Sequence, residues 1–518
     1  MPDTTASKPD PINQAHDADC ELIIGLVGAT GTDLNRVSEL LKKQLGRTGY
    51  AVEVLKISEE VIPEFGEVIL DAANSYDRLD KLMTAGNRAR EIAKDDSVLA
   101  LGAAARIAKR RELAGEPPTP GPILRRAVIV NSLKRPEEVE RLRQIYRNGF
   151  VLLGVHAGAT YRRNALVEQG MTPEQADDLI TRDADERQEP HGQRLNKTFY
   201  LSDFFIRLDK GEEKTRGELR RIVELLFGHP NRTPTFDEYA MFFAFAAALR
   251  SADLSRQVGA VIARDDVILA TGANDCPRAT GGLYWPIEDG GRTADEPSGR
   301  DYLRGVDSNA AEQKKIVEAL VTLGSRHGLD ETVLRSVLRS PPSPIGDLTE
   351  YGRVVHAEMD AITCCARNGI SAAGATMYCT TFPCHNCAKH IIAAGINRVV
   401  FIEPYPKSKA LDFHPDAIVF DSRDEGDRKV LFEPFFGVGP RRFFDLFSIN
   451  LSNGYDVVRK HQDTGEAKSW DHKSSRLRLQ MLPSSYLVLE GQAASMFEEK
   501  LQLGGISNGP TPTDSSTT

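Results

Sequence analysis

Three side chains of the types that bind zinc occur close together in the second half of the sequence, beside a carboxylate. His356 is followed two residues later by Glu358, and Cys384 and Cys387 are the two cysteines of a Pro-Cys-x-x-Cys motif. A catalytic zinc site uses three protein ligands, which leaves the fourth tetrahedral position to water. The sequence therefore predicts that Zn2+ is bound by His356, Cys384 and Cys387.

Glu358 remains outside this ligand set and is the predicted catalytic residue. Zinc lowers the pKa of a bound water molecule from about 15.7 toward about 7, so hydroxide becomes available at neutral pH. A carboxylate beside the metal can take a proton from that water and pass it to a ring nitrogen and a departing amine. Pro383 is suited to open a helix, so Cys384 and Cys387 are expected in its first turn, where the helix dipole favours thiolate.

A structural zinc site is the alternative interpretation of these residues. Such a site closes its fourth position with another cysteine or histidine, and the nearby candidates are His385, Cys379 and His390. We favour the catalytic interpretation, because a structural site has no use for a carboxylate two residues after the histidine. The pattern H-x-E followed by P-C-x-x-C resembles the signature of the zinc nucleoside and nucleotide deaminases.

The whole chain has the length and composition of a globular protein with two or more domains. It contains 518 residues, and 65 Lys and Arg against 74 Asp and Glu give a net charge of -9. This acidic balance argues against broad binding of polynucleotides, which requires a basic face. No apolar run approaches the roughly 18 residues that span a membrane, and no signal peptide is visible. Seven cysteines in a chain of this length fit a reducing compartment, so we expect a cytoplasmic protein with no membrane partner.

Residues 19–228 alternate apolar runs with amphipathic helical patterns. This alternation predicts an α/β fold in which a parallel sheet is covered by helices, with ligands at the carboxyl ends of the strands. The region resembles the P-loop nucleotide kinases in its first strand and glycine turn, in residues 130–138, which open a helix, in Arg162 and Arg163, and in residues 202–206, which are expected to form the last strand. The Walker A motif is degenerate, because Thr32 follows Gly31 where that motif has a lysine.

The glycine turn has three open interpretations. Backbone amides of Gly28, Gly31 and Thr32 can cradle a phosphate at the helix N-terminus, which would make this a nucleotide-binding domain. A purely architectural domain is equally compatible with the sequence. A dinucleotide-binding fold is the third interpretation, but it expects an acid at the end of the second strand, where the sequence has Lys56.

A proline-rich turn near residue 229 marks the predicted boundary between two domains. Residues 229–504 are expected to form a second α/β/α domain of the zinc deaminase type, with a C-terminal helix packed against its sheet. Within it, residues 283–350 form an insertion that we interpret as a lid over the pocket or as an oligomer contact. The ends of the chain, residues 1–18 and 505–518, have the composition of disordered tails.

Five segments of the second domain resemble the deoxycytidylate deaminase family in order and spacing. They are residues 255–262, 271–274, 356–358, 383–387 and 395–400. The resemblance implies that Asn274 contacts the sugar of the substrate, whereas a turn residue at the end of a strand is the alternative. It also makes Arg256 a candidate for contact with the substrate phosphate.

The combination of the two domains resembles the bacterial anti-phage dCTP deaminases. This resemblance implies a hydrolase that converts dCTP and dCMP to dUTP and dUMP and so deprives a phage of a DNA precursor. It further implies that the activity is restrained by an RNA partner or responds to a nucleotide effector. We also expect the protein to form a homo-oligomer. The alternatives are an RNA or DNA editing deaminase of cytidine or adenosine, a housekeeping dCMP deaminase of pyrimidine metabolism, and a sensor whose first domain binds nucleotide or RNA.

Overall fold

The computed structural model describes residues 20–66, 72–114, 121–184, 186, 189, 191–340, 343–348, 350–405, 407–424, 426–481 and 483–504. The chain divides into two compact units. The first unit comprises the chain up to Pro234 together with the segment from Phe436 onward, and the second unit runs from Thr235 to Phe435. The predicted disordered tails, residues 1–18 and 505–518, lie outside the described residues. Every helix in the described ranges is too short or too polar to cross a membrane.

The strands of the described residues are numbered here in chain order. They are β1 (Leu22–Gly28), β2 (Ala51–Lys56), β3 (Arg126–Asn131), β4 (Phe150–His156), β5 (Phe204–Arg207), β6 (Gly259–Arg264), β7 (Val267–Ala273), β8 (Ile287–Asp289), β9 (Arg292–Ala294), β10 (Thr376–Thr381), β11 (Arg398–Glu403), β12 (Ile418–Phe420), β13 (Val430–Pro434) and β14 (Gly437–Val438).

The α-helices are numbered in the same way. They are α1 (Leu34–Gly46), α2 (Ile57–Glu60), α3 (Ser75–Ala93), α4 (Val98–Ala114), α5 (Pro136–Tyr146), α6 (Ala159–Glu168), α7 (Pro173–Ala184), α8 (Leu195–Phe199), α9 (Glu212–Leu226), α10 (Phe236–Ala248), α11 (Asp301–Arg304), α12 (Ser308–Arg326), α13 (Glu331–Arg339), α14 (Ala357–Arg367), α15 (His385–Ala393), α16 (Ala410–Phe413), α17 (Phe443–Phe447) and α18 (Pro483–Leu503).

The first unit is built on a six-stranded sheet with the order β14-β5-β4-β1-β3-β2. Strand β1 pairs in parallel with β3 and β4, and β14 runs antiparallel to β5 at one edge. Alternate side chains of β1 enter two separate hydrophobic cores, with Ile23 and Val27 on one face and Leu22, Ile24 and Leu26 on the other. A strand that is covered on both faces reads as a continuous apolar run. The predicted parallel α/β fold is therefore confirmed.

The last helix, α18, packs in the first unit against α4. The hydroxyl of Tyr486 donates a hydrogen bond to the buried carboxylate of Glu21, and Glu490 accepts hydrogen bonds from an arginine of α4. These pairings stabilise the buried charges, which would otherwise be costly. The structure therefore corrects the predicted domain of residues 229–504, because the segment from Phe436 onward belongs to the first unit.

The second unit contains a six-stranded sheet with the order β12-β13-β11-β10-β6-β7. The four strands from β10 to β13 pair in parallel, whereas β6 is antiparallel to both of its neighbours, β10 and β7. Helix α10 covers one face, where the Phe236 ring contacts the Tyr378 ring edge to face. Helices α14 and α15 pack in the hydrophobic core on the other face. The expected α/β/α arrangement is thus confirmed in this unit.

Asp237 ties the start of α10 to the sheet of the second unit. Its carboxylate accepts a hydrogen bond of 2.5 Å from the Tyr378 hydroxyl and hydrogen bonds of 2.8 and 3.0 Å from Arg398. Burial alone would raise the pKa of Asp237, but the hydrogen bonds and the charge of Arg398 outweigh it and hold that pKa below its ordinary value. The fold therefore favours the ionised carboxylate.

The predicted insertion, residues 283–350, contains the β8–β9 hairpin and the helices α11, α12 and α13. Arg353, which follows the insertion, donates a hydrogen bond of 2.7 Å to the buried carboxylate of Asp301 in α11. Asp307 caps α12 by accepting a hydrogen bond from the Ala310 amide at 2.7 Å. These contacts hold in place the part of the insertion that contains Asp301 and Asp307.

Candidate active site

Two helix N-termini bring the predicted metal ligands together. His356 is the residue before α14, and Cys384 caps α15 by accepting a hydrogen bond from the Cys387 amide at 3.4 Å. The Nδ1 atom of His356 lies 3.3 Å from Sγ of Cys384 and 3.3 Å from Sγ of Cys387. One donor atom from each side chain lies within 4.8 Å of the other two. Both cysteines therefore lie at the start of one helix, as the position of Pro383 predicted.

The donor types of these side chains suit a soft divalent cation. The hydrogen bond from Cys387, together with His356 and against the effect of burial, lowers the pKa of Cys384 to about 4. The hydrogen bond with Cys384 raises the pKa of His356 to about 9 and raises the pKa of Cys387 well above its ordinary value. Thiolate and imidazole donors favour Zn2+ over hard cations such as Mg2+. The three residues thus fit a zinc ion, which would replace the protons that they share.

The residues considered for a fourth, structural ligand lie elsewhere. The ring of His385 packs against Phe413, with 5.6 Å between ring centroids, and His390 is exposed on α15. Cys379 is buried in β10, where burial raises the pKa of its thiol well above the ordinary range. Among the residues that the structure describes, no fourth histidine, cysteine or carboxylate joins the group. This arrangement is typical of a catalytic zinc site rather than a structural one.

Glu358 lies in the first turn of α14 and lines a cavity of about 160 Å3. It is 4% exposed, and burial raises the pKa of its carboxyl group. His356 and Cys384 line the same cavity. A small molecule in this cavity would therefore meet both the metal-binding group and a carboxylate that is not part of it, which is the arrangement needed for proton transfer beside a metal.

Asn274 and Arg256, the two residues for which the resemblance implies contact with the substrate, also line the cavity. The Oδ1 atom of Asn274 accepts a hydrogen bond from the Val258 amide at 2.6 Å, and its Nδ2 atom donates one to the Arg256 carbonyl at 2.8 Å. The amide side chain thus holds the segment before β6 in place. The guanidinium carbon of Arg256 lies 4.6 Å from the centroid of the Tyr405 ring, so this cation stacks on an aromatic face at the cavity.

The insertion supplies three cavity residues that the sequence did not single out, namely Asp301, Asp307 and Asn309. Asn309 donates a hydrogen bond to the Leu348 carbonyl at 2.7 Å and accepts one from the Tyr351 amide. The length of the insertion was the available signal, and it indicated a lid over the pocket or an oligomer contact without indicating which side chains reach the pocket. Because these residues line the cavity, the insertion forms part of its wall.

The residues of the glycine turn lie in the first unit and line a separate cavity. The Thr32 amide donates a hydrogen bond to the Ala29 carbonyl at 2.9 Å, so it closes the turn. Gly31 has a φ of 86°, and an added Cβ would lie 2.6 Å from the Arg162 carbonyl oxygen. The turn therefore requires glycine at this position for its conformation and for the close approach of α6.

Comparison with known proteins gives one family for the second unit. Residues 234–403 match the cytidine and deoxycytidylate deaminase zinc-binding region. The chain is 36% identical over 166 residues to a deoxycytidylate deaminase of Enterobacteria phage T4, a match that covers 32% of this chain and 77% of that protein. It is 30% identical over 175 residues to a deoxycytidylate deaminase of Mycobacterium phage D29, which covers 34% of this chain and 96% of that protein.

Two solved structures are also similar to parts of the chain. One is a dCMP deaminase of the cyanophage S-TIM5 in complex with dCMP and dUMP, with 19% identity and a TM-score of 0.23, covering 40% of this chain and 100% of that one. The other is a gluconokinase of Sinorhizobium meliloti 1021, with 14% identity and a TM-score of 0.21, covering 40% of this chain and 97% of that one.

Proposed function

Because this chain belongs to the deoxycytidylate deaminase family and is thus a nucleotide deaminase, we propose that it hydrolyses the amino group of cytosine in dCMP and dCTP. The products are dUMP or dUTP and ammonia. One observation carries the proposal: Glu358 and the convergent donors of His356 and Cys384 line a single cavity.

The ligand set proposed for zinc is His356, Cys384 and Cys387. Zinc bound there supplies Lewis acidity, which lowers the pKa of water toward about 7. Glu358 takes a proton from the water molecule that adds to C4 of the ring, and it delivers protons to N3 and to the amine that leaves as ammonia. Because Glu358 is 4% exposed, bulk water has little access to its carboxylate during this exchange.

The size of the cavity also supports the proposal that it encloses the pyrimidine base of the substrate. Its volume of about 160 Å3 is below the roughly 300 Å3 at which pockets for whole drug-sized ligands begin. We therefore expect the base to be enclosed while the phosphates remain at the mouth. Among the described lining residues, Arg256 is the one arginine or lysine, so it is the proposed phosphate contact. Asn274 is proposed to contact the sugar through the same wall.

The biological part of the proposal is depletion of deoxycytidine nucleotides during phage infection. It is supported by the combination of a deaminase unit with a second α/β unit in one chain. We further propose that the protein is a homo-oligomer and that an RNA or a nucleotide effector restrains it in uninfected cells, since unrestrained loss of dCTP would harm the host.

Product analysis tests the substrate directly. The purified chain is incubated with a mixture of CMP, CDP, CTP, dCMP, dCDP and dCTP, and the products are separated by chromatography. We expect dUMP and dUTP to appear while the ribonucleotides persist. Formation of dUMP alone would favour a housekeeping dCMP deaminase. A parallel incubation with cytidine- and adenosine-containing RNA and DNA oligonucleotides tests the editing alternative, and deamination confined to those oligonucleotides would refute the proposal. The cellular role is tested by measuring dCTP after infection in cells that express the wild type or Glu358→Gln.

A further inference from the structure

A second and larger cavity, of about 580 Å3, lies in the first unit at the carboxyl ends of its parallel strands. It is lined by Gly28 at the end of β1, Lys56 at the end of β2, Asn131 at the end of β3 and Tyr161 in the helix after β4. Open α/β sheets bind their ligands at this edge. The volume lies within the range of about 300 to 1,000 Å3 that is typical of small-molecule pockets.

Two buried polar atoms at this cavity lack a hydrogen-bond partner among the described residues. They are Oε1 of Gln193, a residue that is 3% exposed, and Oγ1 of Thr32. Both residues line the cavity. Buried polar groups in proteins are normally satisfied, so these two atoms indicate that a polar ligand completes the site. The side chains of Ile62, Leu79 and Met83 form an apolar wall against which a flat ring can pack.

An internal carboxylate occupies the anion position beside the glycine turn. Asp183, which is fully buried, accepts a hydrogen bond of 2.6 Å from the Thr30 amide and contacts of 2.8 and 3.1 Å from Nζ of Lys134. Thr30 and Lys134 both line the cavity. A backbone amide of a glycine turn combined with a lysine is the chemistry by which proteins recognise phosphate. Lys134, which follows β3, thus takes a place near the turn although the turn itself has no lysine.

We propose that this cavity binds a nucleoside phosphate and that the phosphate displaces Asp183 from the Thr30 amide and from Lys134. The base packs on the apolar wall, Oε1 of Gln193 accepts a hydrogen bond from the nucleoside, and the Thr32 hydroxyl donates one to it or accepts one from it. Asp183 is the penultimate residue of α7, and its neighbour Arg182 is hydrogen-bonded to Thr84 of α3. Displacement of Asp183 therefore removes the contacts by which the end of α7 is held to the turn. The inference concerns the first unit and does not depend on the proposed deamination.

Calorimetric titration of the full chain with AMP and GMP tests the site, because these nucleotides do not carry cytosine, the base that the cavity of the second unit is proposed to enclose. Adenosine and guanosine serve as probes without phosphate. Asp183→Asn removes the competing charge, so we expect it to bind the monophosphates about tenfold to hundredfold more tightly than the wild type. Lys134→Met should bind them at least about tenfold more weakly. Glu174→Gln changes an exposed carboxylate of the same helix and should match the wild type.

The proposal fails if AMP and GMP bind to none of these proteins, or if folded Asp183→Asn binds them no more tightly than the wild type. Hydrogen exchange on the wild-type protein provides a second measurement, which remains possible if the Asp183→Asn or Lys134→Met variant does not fold. Addition of AMP should slow exchange in residues 28–32 and accelerate it in α7 (Pro173–Ala184). Slowed exchange in both segments, or no change in either, would also overturn it.

Discussion

Replacement of Glu358 by glutamine separates catalysis from metal binding. The substitution keeps the size and shape of a side chain that is 4% exposed, so the packing around it is preserved. Burial raises the pKa of Glu358, which means that the fold does not favour its charge. We therefore expect the free energy of unfolding to change by no more than about 1 kcal/mol. The metal content should also persist, because Glu358 is outside the group of donor atoms.

The expected loss of activity follows from the role of the carboxylate in proton transfer. General acid–base catalysis by a positioned group contributes about 100-fold to 10,000-fold, which corresponds to about 3 to 5 kcal/mol of activation free energy. We expect kcat for dCMP to fall by at least about 100-fold in Glu358→Gln. KM should change little, because the side chain retains its volume.

The assay combines steady-state kinetics with elemental analysis of the same preparations. Asp360→Asn is the matched control, since Asp360 is a buried acid of the same helix that accepts a hydrogen bond from the Ala273 amide at 3.2 Å and does not line the cavity. Asparagine can still accept that hydrogen bond, so kcat should stay near the wild-type value. Turnover within about tenfold of the wild type in Glu358→Gln would refute the proton-transfer role, and loss of zinc would show that Glu358 is a ligand.

Three further predictions concern the second unit. Cys384→Ala should lose zinc and activity because it removes a donor atom. The control, Cys364→Ala, should retain both. Equal zinc contents of the two variants, measured by elemental analysis, would contradict the ligand set. Arg353→Gln leaves the buried carboxylate of Asp301 without its cation, so the free energy of unfolding measured by denaturation should fall by about 1 to 3 kcal/mol. KM should rise, because Asp301 lines the cavity. If both values are unchanged, Arg353 does not hold this wall of the cavity in place. Asp237 has a pKa below its unfolded value of about 3.9, so its contribution to stability is present above that pH and is lost as the pH falls through the folded pKa. Asp237→Asn should therefore be less stable at neutral pH and lose less stability between about pH 4 and pH 2 than the wild type, and parallel urea-denaturation profiles would contradict the assignment.

The metal group could be predicted from the sequence because its residue types and spacing match the deaminase signature. Helix geometry places only the two cysteines, which are three residues apart at the start of one helix, whereas the packing of two helices brings His356 to them, so that the three donor atoms lie within 4.8 Å of one another. Glu358 follows His356 by two residues, so its position at the same cavity is also set locally. The α/β class was predictable for a similar reason, since strands that are covered on both faces are continuous apolar runs.

The tertiary structure decided everything that depends on residues far apart in the chain. The bond from Tyr486 to Glu21 joins positions 465 residues apart and places the C-terminal helix in the first unit. Asp183 reaches the Thr30 amide across 153 residues, and Asp301 of the insertion reaches the cavity of the second unit. Hydrophobic periodicity reports only which face of an element is buried. It does not report which buried charge meets which partner, because that choice is made by the packing of the whole fold.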